Sequence, residues 1–294
     1  MKQRNREEVV TAGLTGVTKP KKNLSVLQFP DNNMEVVPMR FLILFLLFSL
    51  LFSTTAFAQL TSMNEAGVTI GHVHWLAPDP EAHKKLWVEL FGAQVVNAGP
   101  LEVIKLPGIV ILINPPQPGA VPGEPTTDRV AFVVRDLAET KKKLETANIR
   151  FSEESGVANF PDGVRVEFVE DKNLQVPIAF HNFHLYAANT DALRDWYIRI
   201  FGGVKFPAGP NFPGGEVRFT SQQNPPRVPS IGHTFDHISF DVKNLEEFCK
   251  HLQAQGVKLD MDIIDATKQI GLKVTFITDP AGTRIELTEG LAGM

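Results

Sequence analysis

Cysteine and tyrosine are scarce in this chain of 294 residues, which has one cysteine and two tyrosines. The single cysteine, Cys249, excludes any disulfide within the chain. It lies beside the apolar face of a predicted helix, so we expect a partly buried thiol that is not a nucleophile. The chain also lacks the motifs of phosphate loops, nucleophile elbows and Cys-x-x-Cys pairs. The enzyme classes that depend on these motifs therefore have no support in the sequence.

The chain also has no excess of basic over acidic residues. The chain has 29 Lys and Arg against 33 Asp and Glu, and its formal net charge is −4. From Gln59 onward, 22 basic and 29 acidic residues leave a net charge of −7. This balance argues against a nucleic acid or an anionic membrane surface as the partner. With 43% hydrophobic residues, the composition is that of a globular protein with a sizeable core.

The chain has no apolar run long enough for a comfortable membrane span. The longest run covers 12 residues, 41–52, and it follows Arg40 and precedes the small residues that end at Ala58. A positive start, a short apolar stretch and small residues describe a secretory signal peptide at about 39–58. We therefore expect residues 1–58 to be an N-terminal extension with a signal peptide. The mature protein is predicted to be secreted or periplasmic, without a stable membrane span. An uncleaved anchor is the alternative.

What the sequence does contain is an internal repeat. The segment HVHWLAPDPEAHKKLWVELFGAQV from His72 matches NFHLYAANTDALRDWYIRIFGGVK from Asn182 at an offset of 110. The segment RVAFVVRDLAETKKKLETANIRF from Arg129 matches HISFDVKNLEEFCKHLQAQGVKL from His237 at an offset of 108. A third pair, FPDGVRVEFVE and DPAGTRIELTE, matches at an offset of 119. These copies predict strands, tight turns and amphipathic helices in the same order each time.

The repeats divide the chain into four units, each a strand, a helix and then further strands. The four units cover roughly 68–114, 128–172, 179–222 and 234–290. Proline-rich segments follow the first unit and the third, and they are predicted to be extended connections. The fold class predicted from this order is α+β.

The repeated segments resemble the vicinal oxygen chelate superfamily of glyoxalases, bleomycin-resistance proteins and extradiol dioxygenases. The resemblance covers about 68–290 and rests on HVHWLAPD with LWVELFG, on FDHISFDVKNLEEF and on TDPAGTRIEL. It implies four βαβββ modules that form two curved mixed sheets with helices outside. The glyoxalase-like domains are expected at 66–176 and 177–294. The resemblance also implies a divalent metal ion that chelates two adjacent oxygens of a small-molecule substrate.

The resemblance places metal ligands on the first and last strands of the modules. The first-strand position falls on His72, Arg129, Asn182 and His237, and the last-strand carboxylate falls on Glu167 and Glu286. The usual pairing within each half of the chain leaves both sites one histidine short, because arginine cannot bind a cation and asparagine binds one weakly.

Two arrangements could complete a metal site. His184 or His181 could serve as a ligand from the third unit. Alternatively, the first and fourth units pair, which brings His72, His237 and Glu286 together as a complete ligand set. We predict these last three residues as the ligands of a divalent ion, Zn, Mn, Fe or Ni.

Further residues are predicted around this site. His74 is two positions after His72, so both side chains point to the same face of a strand, and His74 recurs as His184. We expect His74, His184, Asn182 and Arg129 to line pockets. Glu167 is the candidate catalytic base if Arg129 does not bind it, and an Arg129–Glu167 ion pair is the alternative. His83 lies on a helix face among charged residues, and we expect it to be exposed.

The predicted function is a secreted, metal-dependent enzyme of the lyase, isomerase or dioxygenase type that acts on a small oxygen-rich molecule. A bound divalent ion would polarise a carbonyl as a Lewis acid. The resemblance implies that a ring-cleaving member has a tyrosine and extra histidines near the carboxylate ligand. Both tyrosines here, Tyr186 and Tyr197, fall in the third unit, so ring cleavage is the less favoured reaction. The alternative function is a non-catalytic small-molecule binding or resistance protein of the same fold. An oligomer is compatible with the sequence.

Overall fold

The structure is a computed structural model in which residues 60–116, 120–221 and 224–293 are described. The predicted signal peptide at 39–58 lies outside the described residues. None of the helices in these ranges is both long enough and apolar enough to cross a bilayer.

Four units with the predicted βαβββ order follow one another along the described chain. The first contains β1 (Val68–Leu76), α1 (Pro80–Phe91), β2 (Gln94–Ala98), β3 (Leu101–Leu106) and β4 (Ile109–Asn114). The second contains β5 (Thr127–Val134), α2 (Leu137–Thr146), β6 (Arg150–Phe151), β7 (Val157–Asn159) and β8 (Arg165–Glu170). The third contains β9 (Ile178–Ala187), α3 (Thr190–Phe201), β10 (Val204–Lys205), β11 (Pro210–Phe212) and β12 (Gly215–Ser221). The fourth contains β13 (Phe235–Val242), α4 (Leu245–Ala254), β14 (Ile264–Ala266), the short α5 (Thr267–Ile270), β15 (Leu272–Thr278) and β16 (Arg284–Glu289).

The same capping device starts the four longer helices. In each of them an aspartate or asparagine side chain accepts a hydrogen bond from the backbone N–H three residues later, which satisfies a donor that the helix leaves open. The caps are Asp79, Asp136, Asn189 and Asn244. Helices α1 and α3 both end at a glycine in the left-handed region, with φ of 67° and 69°. The sequence repeat therefore places the helix boundaries at equivalent positions in the units.

The strands form two eight-stranded mixed sheets, and each sheet combines two units. The first sheet has the order β14-β15-β16-β13-β1-β4-β3-β2, which joins the fourth unit to the first. The second sheet has the order β10-β11-β12-β9-β5-β8-β7-β6, which joins the third unit to the second. The predicted α+β class and the paired curved sheets are confirmed. Of the two pairings left open by the sequence, the structure has the first unit beside the fourth.

The centre of the first sheet is an antiparallel pair of first strands. In this pair β1 lies against β13 with His74 opposite His237, and the register shifts between Ile70 and Val73. Strand β16 runs parallel to β13 on its other side and places Glu286 beside Ser239. This order brings the strands that carry His72, His237 and Glu286 next to one another.

The core lies on the helix-bearing faces of the sheets and is rich in aromatic rings. Trp75 of β1 packs on Trp87 of α1 with ring centroids 5.8 Å apart, and both are fully buried. Trp87 also stacks on Phe160 of the second unit at 5.3 Å. Because side chains alternate along a strand, His72 and His74 point to the face opposite Trp75. The face without helices is therefore the one that can hold a site.

Candidate functional site

Three ligand-type side chains from the first sheet converge on one point. His72 Nε2 lies 3.2 Å from His237 Nε2 and 3.2 Å from Glu286 Oε2, and the latter two atoms are 2.8 Å apart. The residues are only 5%, 3% and 9% exposed, respectively. Strands β1, β13 and β16, which supply them, are neighbours in the sheet. The structure thus assembles the three residues that the sequence analysis selects as metal ligands; their role as ligands stays a prediction.

The spacing of these three atoms fits a divalent cation. Ligand bonds of about 2.1 Å put two donor atoms about 3.0 Å apart at right angles and about 3.4 Å apart at tetrahedral angles. The observed separations of 2.8–3.2 Å match the right-angled arrangement better. Two imidazole nitrogens and one carboxylate oxygen on a single face leave positions open for a substrate. The buried group can therefore hold a divalent ion, and the geometry does not identify which one.

The charges within this cluster are strongly coupled. Burial acts to lower the pKa of His237, but hydrogen bonds to Asp236 and Glu286 outweigh it and raise that pKa above the usual value. Burial acts in the opposite sense on Glu286, yet the charges and hydrogen bonds of His72 and His237 hold its pKa well below the usual range. Protons therefore compete with a cation for these ligand atoms.

Asp236 orients the His237 ring from behind. The carboxylate of Asp236 lies 2.5 Å from His237 Nδ1. It is fixed by the Gly232 N–H at 2.6 Å and by Arg284 Nη1 at 3.2 Å. Although burial acts to raise the pKa of Asp236, its hydrogen bond and charge interaction with His237 lower it to about 2. A proton held on Nδ1 leaves Nε2 to face the other two ligand atoms, as in many metal sites.

A cavity of about 380 Å³ opens over the cluster. Its lining includes His237, Glu286 and Arg284. Apolar side chains also line it; these are Leu76, Leu112, Ile231 and Phe276. A largely apolar pocket with a few convergent polar groups is the usual form of a small-molecule site.

His74 also lines this cavity, at the position expected from the sequence. Both of its ring nitrogens are buried without a hydrogen-bond partner among the described residues. Burial, with the charges of His237 and His72, lowers the pKa of His74 to about 3. The ring is therefore neutral near pH 7, and it can exchange a hydrogen bond with a ligand but cannot supply a positive charge.

The corresponding positions of the second sheet hold an ion pair. Arg129 Nε donates to Glu167 Oε2 at 2.7 Å, and the same guanidinium also binds Asp128. Asn182 Nδ2 lies 2.8 Å from His181 Nδ1. The sequence analysis makes the base role of Glu167 conditional on a free carboxylate, and this ion pair does not meet that condition. Glu167 also lies in the second sheet, whereas the His72 cluster lies in the first.

His184 does not complete a ligand set either. Its Nε2 lies 2.5 Å from Thr220 Oγ1 in the second sheet. Burial, with the charge of Arg129, lowers the pKa of His184 to about 4. Among the described residues, the candidate metal-binding groups are His72 with His237 and Glu286, and the overlapping trio of His74, Asp236 and His237.

Several residues differ in the structure from what their sequence context predicts. His83 is fully buried and lies 3.0 Å from Asp162 of the second unit, so its expected exposure is wrong. The roles of Asp236 and Arg284 were missed, although both stand inside the segments that carry the family resemblance. An acidic residue next to a candidate ligand histidine is a usable signal for Asp236. Cys249 is buried, and burial raises the pKa of its thiol to about 11, in agreement with an unreactive cysteine.

Comparison with known proteins agrees with this architecture. Residues 179–287 match the family described as Glyoxalase/Bleomycin resistance protein/Dioxygenase superfamily. The matched segment covers the third and fourth units, and it has the sequence pattern of this superfamily. A search of curated proteins found no match.

Solved structures share the fold over most of the chain. A putative dioxygenase from Bacillus subtilis subsp. subtilis str. 168 aligns with a TM-score of 0.57 at 16% identity, covering 79% of this chain and 86% of that one. Glyoxalase I from Zea mays aligns with a TM-score of 0.57 at 12% identity, covering 77% of this chain and 94% of that one. At these identities the likeness concerns the fold alone.

Proposed function

We propose that this protein is a divalent-metal-dependent enzyme that acts on a small molecule with two adjacent oxygen atoms. The reaction is of the lyase, isomerase or dioxygenase type. The observation that carries the proposal is the buried cluster of His72, His237 and Glu286, with donor atoms 2.8–3.2 Å apart below an open cavity. When bound there, a divalent ion would act as a Lewis acid on oxygens bound to it.

The chain itself contributes three further actions. Asp236 holds His237 in one orientation through Nδ1, so the ligand geometry exists before the ion or substrate arrives. The apolar walls formed by Leu76, Leu112 and Phe276 exclude water from the bound substrate, which strengthens electrostatic interactions. His74 offers a neutral ring beside the cluster as a hydrogen-bond partner.

The first test is metal content. The protein is purified without chelator and without a metal-affinity tag, and bound metals are determined by mass spectrometry beside His237→Ala and Glu286→Gln. We expect near-stoichiometric metal in the wild type and its loss in both variants. Glu167→Gln is the matched control, because it changes the equivalent carboxylate of the second sheet, and it should retain the metal.

The outcomes separate enzyme from binding protein. A folded wild type that holds no metal after exposure to zinc, manganese, iron and nickel would refute the metal-dependent function. Metal binding without turnover of any dicarbonyl, hydroxy-ketone or catechol substrate would favour the non-catalytic alternative of the same fold.

We also propose that the protein is exported to the periplasm or outside the cell. The proposal rests on the short apolar run before Ala58 in the sequence. N-terminal sequencing of protein recovered from the host that makes it should give a start near Gln59. A start at Met1 or Met39 in that sample would refute the proposal.

A further inference from the structure

Arg284 lines the same cavity as His237 and Glu286 of the metal-ligand cluster. It is two residues before Glu286 on β16, so both side chains point to the same face of the sheet, with Cα atoms about 7 Å apart. Its side chain is 25% exposed and lines the cavity. The guanidinium lies over the Phe276 ring, with Cζ 3.9 Å from the ring centroid.

The guanidinium has donors left for a ligand. Its hydrogen bond to Asp236 uses Nη1 at 3.2 Å, and Asp236 is its one hydrogen-bond acceptor among the described residues. A guanidinium has five N–H donors in a planar fork that suits a carboxylate. Stacking on Phe276 and the bond to Asp236 fix the plane of this fork, so little side-chain entropy is lost when a ligand binds.

The charges around the cavity favour an anion. The charged side chains of its described lining are the carboxylates of Asp236 and Glu286 and the guanidinium of Arg284. With a divalent cation on the cluster, this set has one net positive charge, although the whole chain has a net charge of −4. A single negative charge on the ligand therefore balances the site.

We propose that Arg284 is a specificity residue that binds a carboxylate of the substrate. The substrate is then a small carboxylate that also carries two adjacent oxygens, joined by a short apolar body that contacts Leu112 and Phe276. The proposal rests on the proposed metal-dependent function, since the cation would hold the two adjacent oxygens. A cavity of about 380 Å³ limits the ligand to a small molecule.

The second sheet supplies a matched control. Arg165 occupies the position equivalent to Arg284 at the offset of 119, and it binds Asp128, the equivalent of Asp236. In that sheet Arg129 and Glu167 replace the metal-ligand set. Arg165→Gln therefore removes the same charge from the same strand position, but away from the proposed site.

The experiment compares two probes that differ in one charge. 3,4-Dihydroxybenzoate and its methyl ester present the same adjacent oxygens, and only the acid carries a carboxylate. Both are titrated calorimetrically, without oxygen, into zinc-loaded wild type, Arg284→Gln, Arg284→Lys and Arg165→Gln, and the zinc content of each sample is measured first. We expect the wild type and Arg165→Gln to bind the acid about tenfold more tightly than the ester, as a charge-assisted contact predicts. The ratio should fall to about one in Arg284→Gln and lie between these values in Arg284→Lys.

Each outcome decides one proposal. An unchanged acid-to-ester ratio in Arg284→Gln with a normal zinc content, or no preference in the wild type, overturns the role of Arg284. Failure of the folded wild type to hold zinc, and then manganese, iron or nickel, refutes the proposed metal function instead. In that case the acid and the ester are titrated into metal-free protein. A preference for the acid that Arg284→Gln removes supports the carboxylate contact. If the wild type shows no such preference, the carboxylate contact is overturned.

Discussion

Replacing Asp236 with asparagine is the sharpest test of how the candidate metal centre is held. The variant keeps the size of the side chain and one carbonyl oxygen, but it removes the negative charge that faces His237 Nδ1 at 2.5 Å. Hydrogen bonds to charged groups contribute about 1.5–3 kcal/mol. Loss of this contact should therefore weaken zinc binding by about 10- to 100-fold, the range found for outer-shell partners of metal ligands.

The assay is competition for zinc with a chromophoric chelator, with thermal unfolding as a check on folding. Asp128→Asn is the matched control, since Asp128 occupies the equivalent position in the second sheet and binds Arg129 and Arg165. It should leave the zinc affinity unchanged. If Asp236→Asn binds zinc within twofold of the wild type, the Asp236 carboxylate does not orient His237 for metal binding.

Three other predictions concern protonation, the second sheet and the core. Because the pKa of His237 is raised, protons compete for its Nε2, and zinc affinity should fall about tenfold per pH unit as the pH drops through that pKa; a flat profile between pH 8 and 5.5 would contradict this. The double variant Arg129→His with Asn182→His should create a second site with Glu167 and raise the zinc content from one to two per chain, and a folded double variant with one zinc would count against the equivalence of the two sheets. Trp87→Ala should lower the free energy of unfolding in urea by about 3–5 kcal/mol, because the ring is fully buried, and a loss below 1 kcal/mol would contradict its place in the core.

Local structure was predictable because its causes are local. The offset of 110 between the first and third units reappears in their helices, Pro80–Phe91 and Thr190–Phe201. The offset of 108 reappears in Leu137–Thr146 and Leu245–Ala254. An aspartate or asparagine before an amphipathic segment predicts the start of a helix, and a glycine after it predicts the end. Both signals involve only a few neighbouring residues. The unit order, and with it the α+β class, follows from these signals.

The pairing of units was not predictable in the same way. Strand β1 has the same alternation whether it lies beside β5 or β13, and the choice depends on contacts between residues more than 160 positions apart. The positions of ligand-type residues distinguished the two possible pairings of units. His72, His237 and Glu286 form a complete ligand set only when the first and fourth units pair. The identity of ligand-type residues thus indicated a topology that periodicity left open.

His83 shows the limit of judging exposure from one helix. Its neighbours in sequence are charged, and the pattern predicts a solvated face. In the structure this side chain lies against Asp162 of the second unit, so a different part of the chain buries it. Burial imposed by another unit leaves no trace in the helix that carries the residue.

The pairing of the outer units has a consequence for the order in which the protein is built. Because the chain is synthesised from its N-terminus, β1 is made long before β13. The edge of β1 that later pairs with β13 therefore stays unpaired while the second and third units are synthesised. The second and third units adjoin in sequence and can close their shared sheet first, because a shorter loop costs less entropy to close. The metal-ligand cluster forms only when the last strand, β16, has taken its place. Metal uptake would therefore report that the fourth unit has paired with the first.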